Sequence, residues 1–262
     1  MPLIVVATPI GNLEDASPRM IRVLRESDLI LCEDTRRTRA LLTALEIPAR
    51  PLKSCHAHNE TTRVDDIVRR LRDGEHVALV SDAGTPGISD PGGIIVAAAH
   101  AAGLDVRCVA GPSSVVAALS VAGFAATPFH FLGFPPRKSG PLRALITQAS
   151  QLQGPFVFLE SGRRVGRLIG TLAELCADRE LVMCREMSKK YEEILRRPAR
   201  EMPTTEQKGE VVLVVGPGAP VAAASDRHAS ELKEIAARLA ERWECSKRDA
   251  YNALMDLEKS RN

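Results

Sequence analysis

Apolar residues in this chain come in short runs broken by turns, and the runs alternate with segments of helical periodicity. Leu3-Ile4-Val5-Val6-Ala7 reads as a buried strand, and Thr8-Pro9-Ile10-Gly11-Asn12 as the turn that follows it. Ser17-Pro18 offers an N-cap and a first-turn proline for a helix to about Glu26. A second strand over 28–33 runs into Glu33-Asp34-Thr35-Arg36-Arg37-Thr38-Arg39 and then the helical spacing of Leu41, Leu42 and Leu45. A short strand over 51–55 precedes His56-Ala57-His58-Asn59-Glu60 and an amphipathic helix to about Arg72. Strands over 77–80 and 106–109 are each followed by an Ala-rich helical pattern, the first over 94–102 and the second running from Gly111-Pro112-Ser113-Ser114 to Gly123. Strands alternating with helices in this way predict a mostly parallel α/β sheet.

A hinge at 123–128 follows, and the pattern restarts. Strands are predicted over 130–134 and 155–160, each leading into a helix, the first to about 152 and the second to about 176. Three more strands, near 180–186, 190–197 and 209–216, have short connections that predict antiparallel pairs. The stretch 216–224 reads as a linker, and 230–257 as two short amphipathic helices. The expected organisation is an N-terminal α/β domain over 1–122, a C-terminal α/β domain over 123–218 and a helical tail module over 225–262.

Between the strand at 77–80 and the helix after it lies Ser81-Asp82-Ala83-Gly84-Thr85-Pro86-Gly87-Ile88-Ser89-Asp90-Pro91-Gly92-Gly93. Open α/β sheets bind ligands at the carboxyl ends of their strands. Glycine lets backbone approach a ligand closely. The loop carries two acids and no Lys or Arg, so it suits a neutral, zwitterionic or cationic ligand better than a phosphate.

Composition changes this picture little. The chain has 262 residues, is 45% hydrophobic and 26% charged, and carries a net charge of +2, as an ordinary globular protein does. No apolar run is long enough to span a bilayer, and the N-terminus lacks the basic and apolar regions of a signal peptide, so a cytoplasmic location is expected. The six cysteines show no CxxC pair and read as reduced core residues. Cys55, His56 and His58 fall short of a zinc ligand set, so no metal is expected. Arg137-Lys138, Arg163-Arg164-Arg167 and Arg185/Lys189/Lys190 suggest one basic rim. Aromatic content is only 3%, so any binding of RNA would rest on backbone contacts rather than base stacking.

Nine stretches occur together in order: TPIGNLED (8–15), CEDTRRTRALL (32–42), HNE (58–60), SDAGTPGISDPG (81–92), AGPSS (110–114), GFPPRK (133–138), LES (159–161), RE-SK (185–189) and KGE-V (208–211). With them the chain resembles the tetrapyrrole-methylase superfamily of S-adenosylmethionine (SAM) enzymes. Within it, the resemblance is to the branch that methylates a cytidine ribose 2′-oxygen in the decoding region of 16S rRNA. It implies two α/β domains with SAM in the cleft between them, a homodimer, and 16S rRNA or the small ribosomal subunit as substrate. It would place Pro9, Ile10, Gly11, Gly84, Thr85, Pro86, Ile88, Ser113, Ser114 and Leu159 against SAM. A Thr-His pair is expected after Glu160-Ser161, and Gly162-Arg163 stand there instead.

The basic positions Arg36, Arg37, Arg137, Lys138, Arg163 and Arg185, with Asn59, are the candidate RNA contacts. Transfer to a hydroxyl requires that the hydroxyl be positioned and lose its proton. Lys189 is the candidate for that step, oriented by Glu60 and Glu186, with His58 and Asp34 as the other polar groups. Lys189 either lowers the hydroxyl's pKa or acts as base if burial depresses its own. Two further functions remain open at this point. One is SAM-dependent methylation of a tetrapyrrole or a modified protein residue. The other is a non-catalytic RNA-binding ribosome assembly factor.

Overall fold

The computed structural model describes residues 1–218, 235–240 and 246–252. By contacts the chain divides into Met1–Pro217 and Gly218–Asn262. The expected linker beyond 218 and most of the tail helices lie outside the described residues. In the second unit, Ala236, Ala240 and Ala250 form a small buried cluster with Leu239 and Tyr251.

The first unit holds two five-stranded sheets. The first contains β1 (Leu3–Val6), β2 (Leu29–Cys32), β3 (Leu52–Ser54), β4 (Val77–Val80) and β5 (Val106–Val109), in the order β3-β2-β4-β1-β5 and all parallel. Residues of β2 and β4 are buried throughout, as continuous apolar runs in a two-sided parallel sheet should be. Four helices connect these strands, α1 (Pro18–Glu26), α2 (Thr35–Ala44), α3 (Glu60–Arg72) and α4 (Gly93–Ala101), and α5 (Ser114–Ala122) leads from β5 to the second sheet. Ser17 caps α1 by accepting from the Met20 N–H, with Pro18 at the first helical position.

The second sheet contains β6 (His130–Gly133), β7 (Phe156–Ser161), β8 (Glu180–Arg185), β9 (Glu193–Pro198) and β10 (Glu210–Val215), in the order β6-β7-β10-β8-β9. Only β6 and β7 run parallel; β7–β10, β10–β8 and β8–β9 are antiparallel. This agrees with the short connections read from the sequence. Helices α6 (Ser139–Ala149) and α7 (Gly162–Leu175) cover one face, around Phe156, Phe158, Leu172 and Leu213. The other face is covered by α5, whose Val115, Ala118, Leu119 and Ala122 pack on Val157, Val182, Cys184 and Val214. The expected boundary at 122 therefore follows a helix whose apolar face already lies on the second sheet. That packing holds the ends of the two sheets at one cleft.

The cysteines divide. Cys32, Cys55 and Cys184 are buried, with burial raising their thiol pKa. Cys108 is exposed, because β5 is an edge strand. Among the described cysteines all are free.

Glu60 corrects one expectation. It was expected to orient Lys189. Instead its buried Oε1 accepts from the N–H groups of Gly92 (2.9 Å), Ile94 (2.7 Å) and Ile95 (3.3 Å). A carboxylate on α3 thus caps the amino end of α4, where the helix dipole favours negative charge. Glu60→Ala is expected to cost about 2–4 kcal/mol, since it strands buried N–H donors beside a lost charge-assisted acceptor. Chemical denaturation checks this; a loss under 1 kcal/mol would contradict the cap.

Candidate functional site

The turn after β1 and the loop after β4 meet at one point. Thr8 and Gly84 exchange backbone hydrogen bonds, Thr8 N–H to Gly84 C=O at 2.9 Å and Gly84 N–H to Thr8 C=O at 3.0 Å. Gly84 does this at φ +80°, in the left-handed region that favours glycine. Ser81 Oγ donates to the Gly84 C=O at 3.2 Å, and Thr85 Oγ1 donates to Pro112 C=O at 3.1 Å. The loop is therefore tied to the ends of both β1 and β5.

A cleft of about 500 Å³ opens above these strand ends. One side is built by Ile10, Asp82, Gly84, Thr85, Ile88, Asp90, Ser113 and Ser114, and the other by Leu159, Glu160, Arg164, Glu186, Met187, Lys189, Glu210 and Val212. Seven of the ten expected SAM contacts line it: Ile10, Gly84, Thr85, Ile88, Ser113, Ser114 and Leu159. Pro9, Gly11 and Pro86 do not. Pro86 is buried beneath the loop. Gly11 packs against the opposite wall, where a Cβ would meet Lys189 Cγ at 2.5 Å and Met187 C=O at 2.9 Å. Its role is to let the two walls approach.

The strand-end side is acidic. Burial, then the charge of Glu33, pushes the Asp90 carboxyl up to about 6. Burial and Asp82 raise Glu33 in the same way. Arg37 answers part of this charge with an ion pair to Asp82 at 3.3 Å. Such crowded carboxylates favour a cationic ligand. Apolar Ile10, Val115, Leu159 and Val212 line the same space. Acids, apolar surface and close backbone together fit the sulfonium, ammonium and adenosyl parts of SAM.

The opposite wall carries Lys189. Its Nζ donates to Glu186 Oε1 and to Glu210 Oε2, each at 2.9 Å. Burial by itself would lower the ammonium pKa, but the hydrogen bonds to Glu210 and Glu186 outweigh it, and the net direction is upward. A lysine acting as base would need a depressed pKa, so this geometry corrects that option: Lys189 is a proton-bearing donor. Glu186 is held below the usual carboxylate range by the Glu210 N–H and by Lys189. It stands at φ 50° and packs against Gly209, where a Cβ would meet its Oε1 at 2.5 Å. A non-glycine residue held in that region is often part of a site. Glu210 was missed as a candidate. The RE-SK and KGE-V stretches that contain the trio were visible, but their contact depends on the register pairing Val211 with Arg185.

The polar cluster expected from the first sheet does not line the cleft. Asp34 accepts from the Arg36 N–H and side chain, which lower its pKa to about 2. Asn59 Oδ1 accepts from the His56 N–H at 2.8 Å and its Nδ2 donates to Ser54 C=O. His58 is exposed, edge-on to His56. These groups shape turns. Arg36 is occupied by Asp34, and Arg185 by Glu193 at 2.9 Å. Arg137 and Arg163 line a second cavity of about 390 Å³, and Lys138 lines neither.

One pH dependence follows. Asp90 is harder to ionise in the folded chain than in the unfolded one. Its contribution to stability is complete below the usual aspartate pKa near 4 and declines as pH rises through about 6. A cationic ligand prefers the ionised form, so SAM affinity is expected to rise across the same interval. Asp90→Asn is expected to flatten that rise in calorimetric titrations between pH 5 and 8. An unaltered pH profile in the variant would contradict it.

The family model for tetrapyrrole (corrin/porphyrin) methylases matches residues 2–203. The chain is 41% identical to the ribosomal RNA small subunit methyltransferase I of Xylella fastidiosa, over 88% of this chain and 84% of that protein. It is also 41% identical to the protein of that name from Thermotoga maritima, over 81% and 97%. Among solved structures, the methyltransferase CobJ superposes with a TM-score of 0.63 at 19% identity, covering 82% of this chain and 94% of that one. Uroporphyrin-III C-methyltransferase from Thermus thermophilus, complexed with S-adenosyl homocysteine, superposes at 0.58 and 19% identity, covering 82% and 97%. With a family match over most of its length and relatives this similar, the chain belongs to the tetrapyrrole (corrin/porphyrin) methylase family.

Proposed function

We propose that this methyltransferase transfers the methyl group of SAM to RNA of the small ribosomal subunit, and that the acceptor is the ribose 2′-oxygen of a cytidine in the decoding region. The observation that carries the acceptor chemistry is the Glu186–Lys189–Glu210 group across the cleft from the acidic strand ends. When bound, SAM supplies a methyl carbon already activated by the sulfonium. The chain must then deal with the hydroxyl, the weak partner. Lys189, as an ammonium, hydrogen-bonds the oxygen and stabilises charge developing on it. Glu186 or Glu210, freed from Lys189 by that contact, accepts the hydroxyl proton. The acidic residues Asp82 and Asp90 hold the cationic donor, and Ile10, Leu159 and Val212 exclude water from it. The small-subunit substrate is supported by the 41% identical relatives.

The test is methyl transfer from labelled SAM to purified small subunits and to free 16S rRNA, followed by digestion to nucleosides. The expected product is 2′-O-methylcytidine. A methyl group on a base, or transfer only to a tetrapyrrole, would overturn this reading. The resemblance also implies a homodimer, which sedimentation at micromolar concentration tests.

A further inference from the structure

We infer that the second cavity is a phosphodiester subsite for the RNA strand beside the target ribose; the inference rests on the rRNA reading above. This cavity is walled by Pro135-Pro136-Arg137, ahead of α6, and by Arg163, Arg164 and Arg167 on the first turns of α7. Among the described residues Glu160 is the one carboxylate lining it, and it is already engaged. The buried Glu160 Oε1 accepts from Arg164 at 2.6 and 2.8 Å and from the Ser161 N–H at 2.8 Å. Arg137, Arg163 and Arg167 make no ion pair among the described residues, and Arg167 reaches only Pro136 C=O at 3.3 Å. Elsewhere on the first unit, arginines with an acid in reach use it, as Arg36, Arg70, Arg143, Arg185 and Arg196 do. Here three guanidiniums line a concavity whose carboxylate is already taken by Arg164.

A planar guanidinium fork matches phosphate oxygens, and several around one concavity favour a polyanion over a single carboxylate. Pro135, Leu142 and Leu168, all buried, form the apolar floor beneath these guanidiniums. Glu160 and Arg164 line both cavities. An anion seated here therefore lies directly beside the wall of the SAM cleft, where the backbone flanking an acceptor ribose must run. The sequence's departure from the expected Thr-His pair contributes here, since it supplies Arg163.

The test compares the full chain with a variant carrying Arg137→Gln, Arg163→Gln and Arg167→Gln together. All three side chains are exposed, so the variant should fold. Three quantities are measured: SAM affinity by calorimetry, KM and kcat for small subunits, and binding to polycytidylic acid as a function of salt. The expected result is a KM raised about tenfold with kcat retained, and SAM affinity unchanged. The slope of log Kobs against log salt becomes shallower by about 1–2, because fewer phosphates are neutralised. The corresponding triple lysine variant should restore the salt slope but only part of the affinity, because it lacks the fork. An unchanged KM and salt slope would overturn the subsite, as would lost SAM affinity with RNA binding intact. A variant that binds RNA normally but loses binding of a polycarboxylate macrocycle would also overturn it. If the unaltered chain methylates no rRNA while the polycytidylic acid difference stands, the target reading falls and the subsite stands.

Discussion

Replacing Lys189 with methionine is expected to lower single-turnover methyl transfer by about 10²- to 10³-fold, with folding and SAM affinity retained. The lysine stem packs over Gly11, and methionine keeps most of that apolar length. What the substitution removes is the donor held between Glu186 and Glu210. Without it, charge developing on the attacking oxygen has no positive partner, and two carboxylates face each other uncompensated. Glu186→Gln separates the two effects. It keeps a hydrogen-bonding side chain beside Lys189 but removes one proton acceptor, so its loss should be smaller if Glu210 can substitute. Near-wild-type turnover in Lys189→Met would mean that the trio is an ion pair holding β8 and β10 together. The carboxylates of the cleft, rather than the turn residues Asp34 and His58, would then be the place to look for the proton acceptor.

Gly84→Val is expected to weaken SAM binding by about 10- to 100-fold and to destabilise the fold by about 1–3 kcal/mol. The residue sits at φ +80°, and a Cβ there would stand 3.4 Å from Ile10 Cγ2 and 3.6 Å from Pro112 C=O. Valine would add two methyl groups to that space, at the point where Thr8 and Gly84 join the two loops. Gly87→Val is the control. Gly87 also has φ +80°, but its Cβ would meet nothing within 4 Å, and it does not line the cleft. It should share the strain and keep most of the affinity. Calorimetry on both folded variants decides; unchanged affinity in Gly84→Val would move the cofactor away from this loop.

What the sequence determined by itself is local. Strand runs such as Val77–Val80, the Ser17-Pro18 start of α1 and the glycine-rich stretch 81–93 are legible because burial, capping and φ preferences act over a few residues. The resemblance added the order of the motifs and the ring of expected cofactor neighbours around Ile10, Gly84 and Ser113. Only the tertiary structure decided which charges meet. Glu60 stands next to His58 and Asn59 in the chain, yet folding of α3 against α4 carries it to three N–H groups about thirty residues away. Glu210 reaches Lys189 because β10 pairs with β8 in one particular register, and a slip of one residue would turn its side chain to the other face. Arg185 and Arg137 look alike in sequence, but one finds Glu193 across a hairpin and the other faces a cavity that lacks a free acid. A charge's role is set by its neighbours in space, and those are fixed by sheet order and helix packing rather than by local pattern.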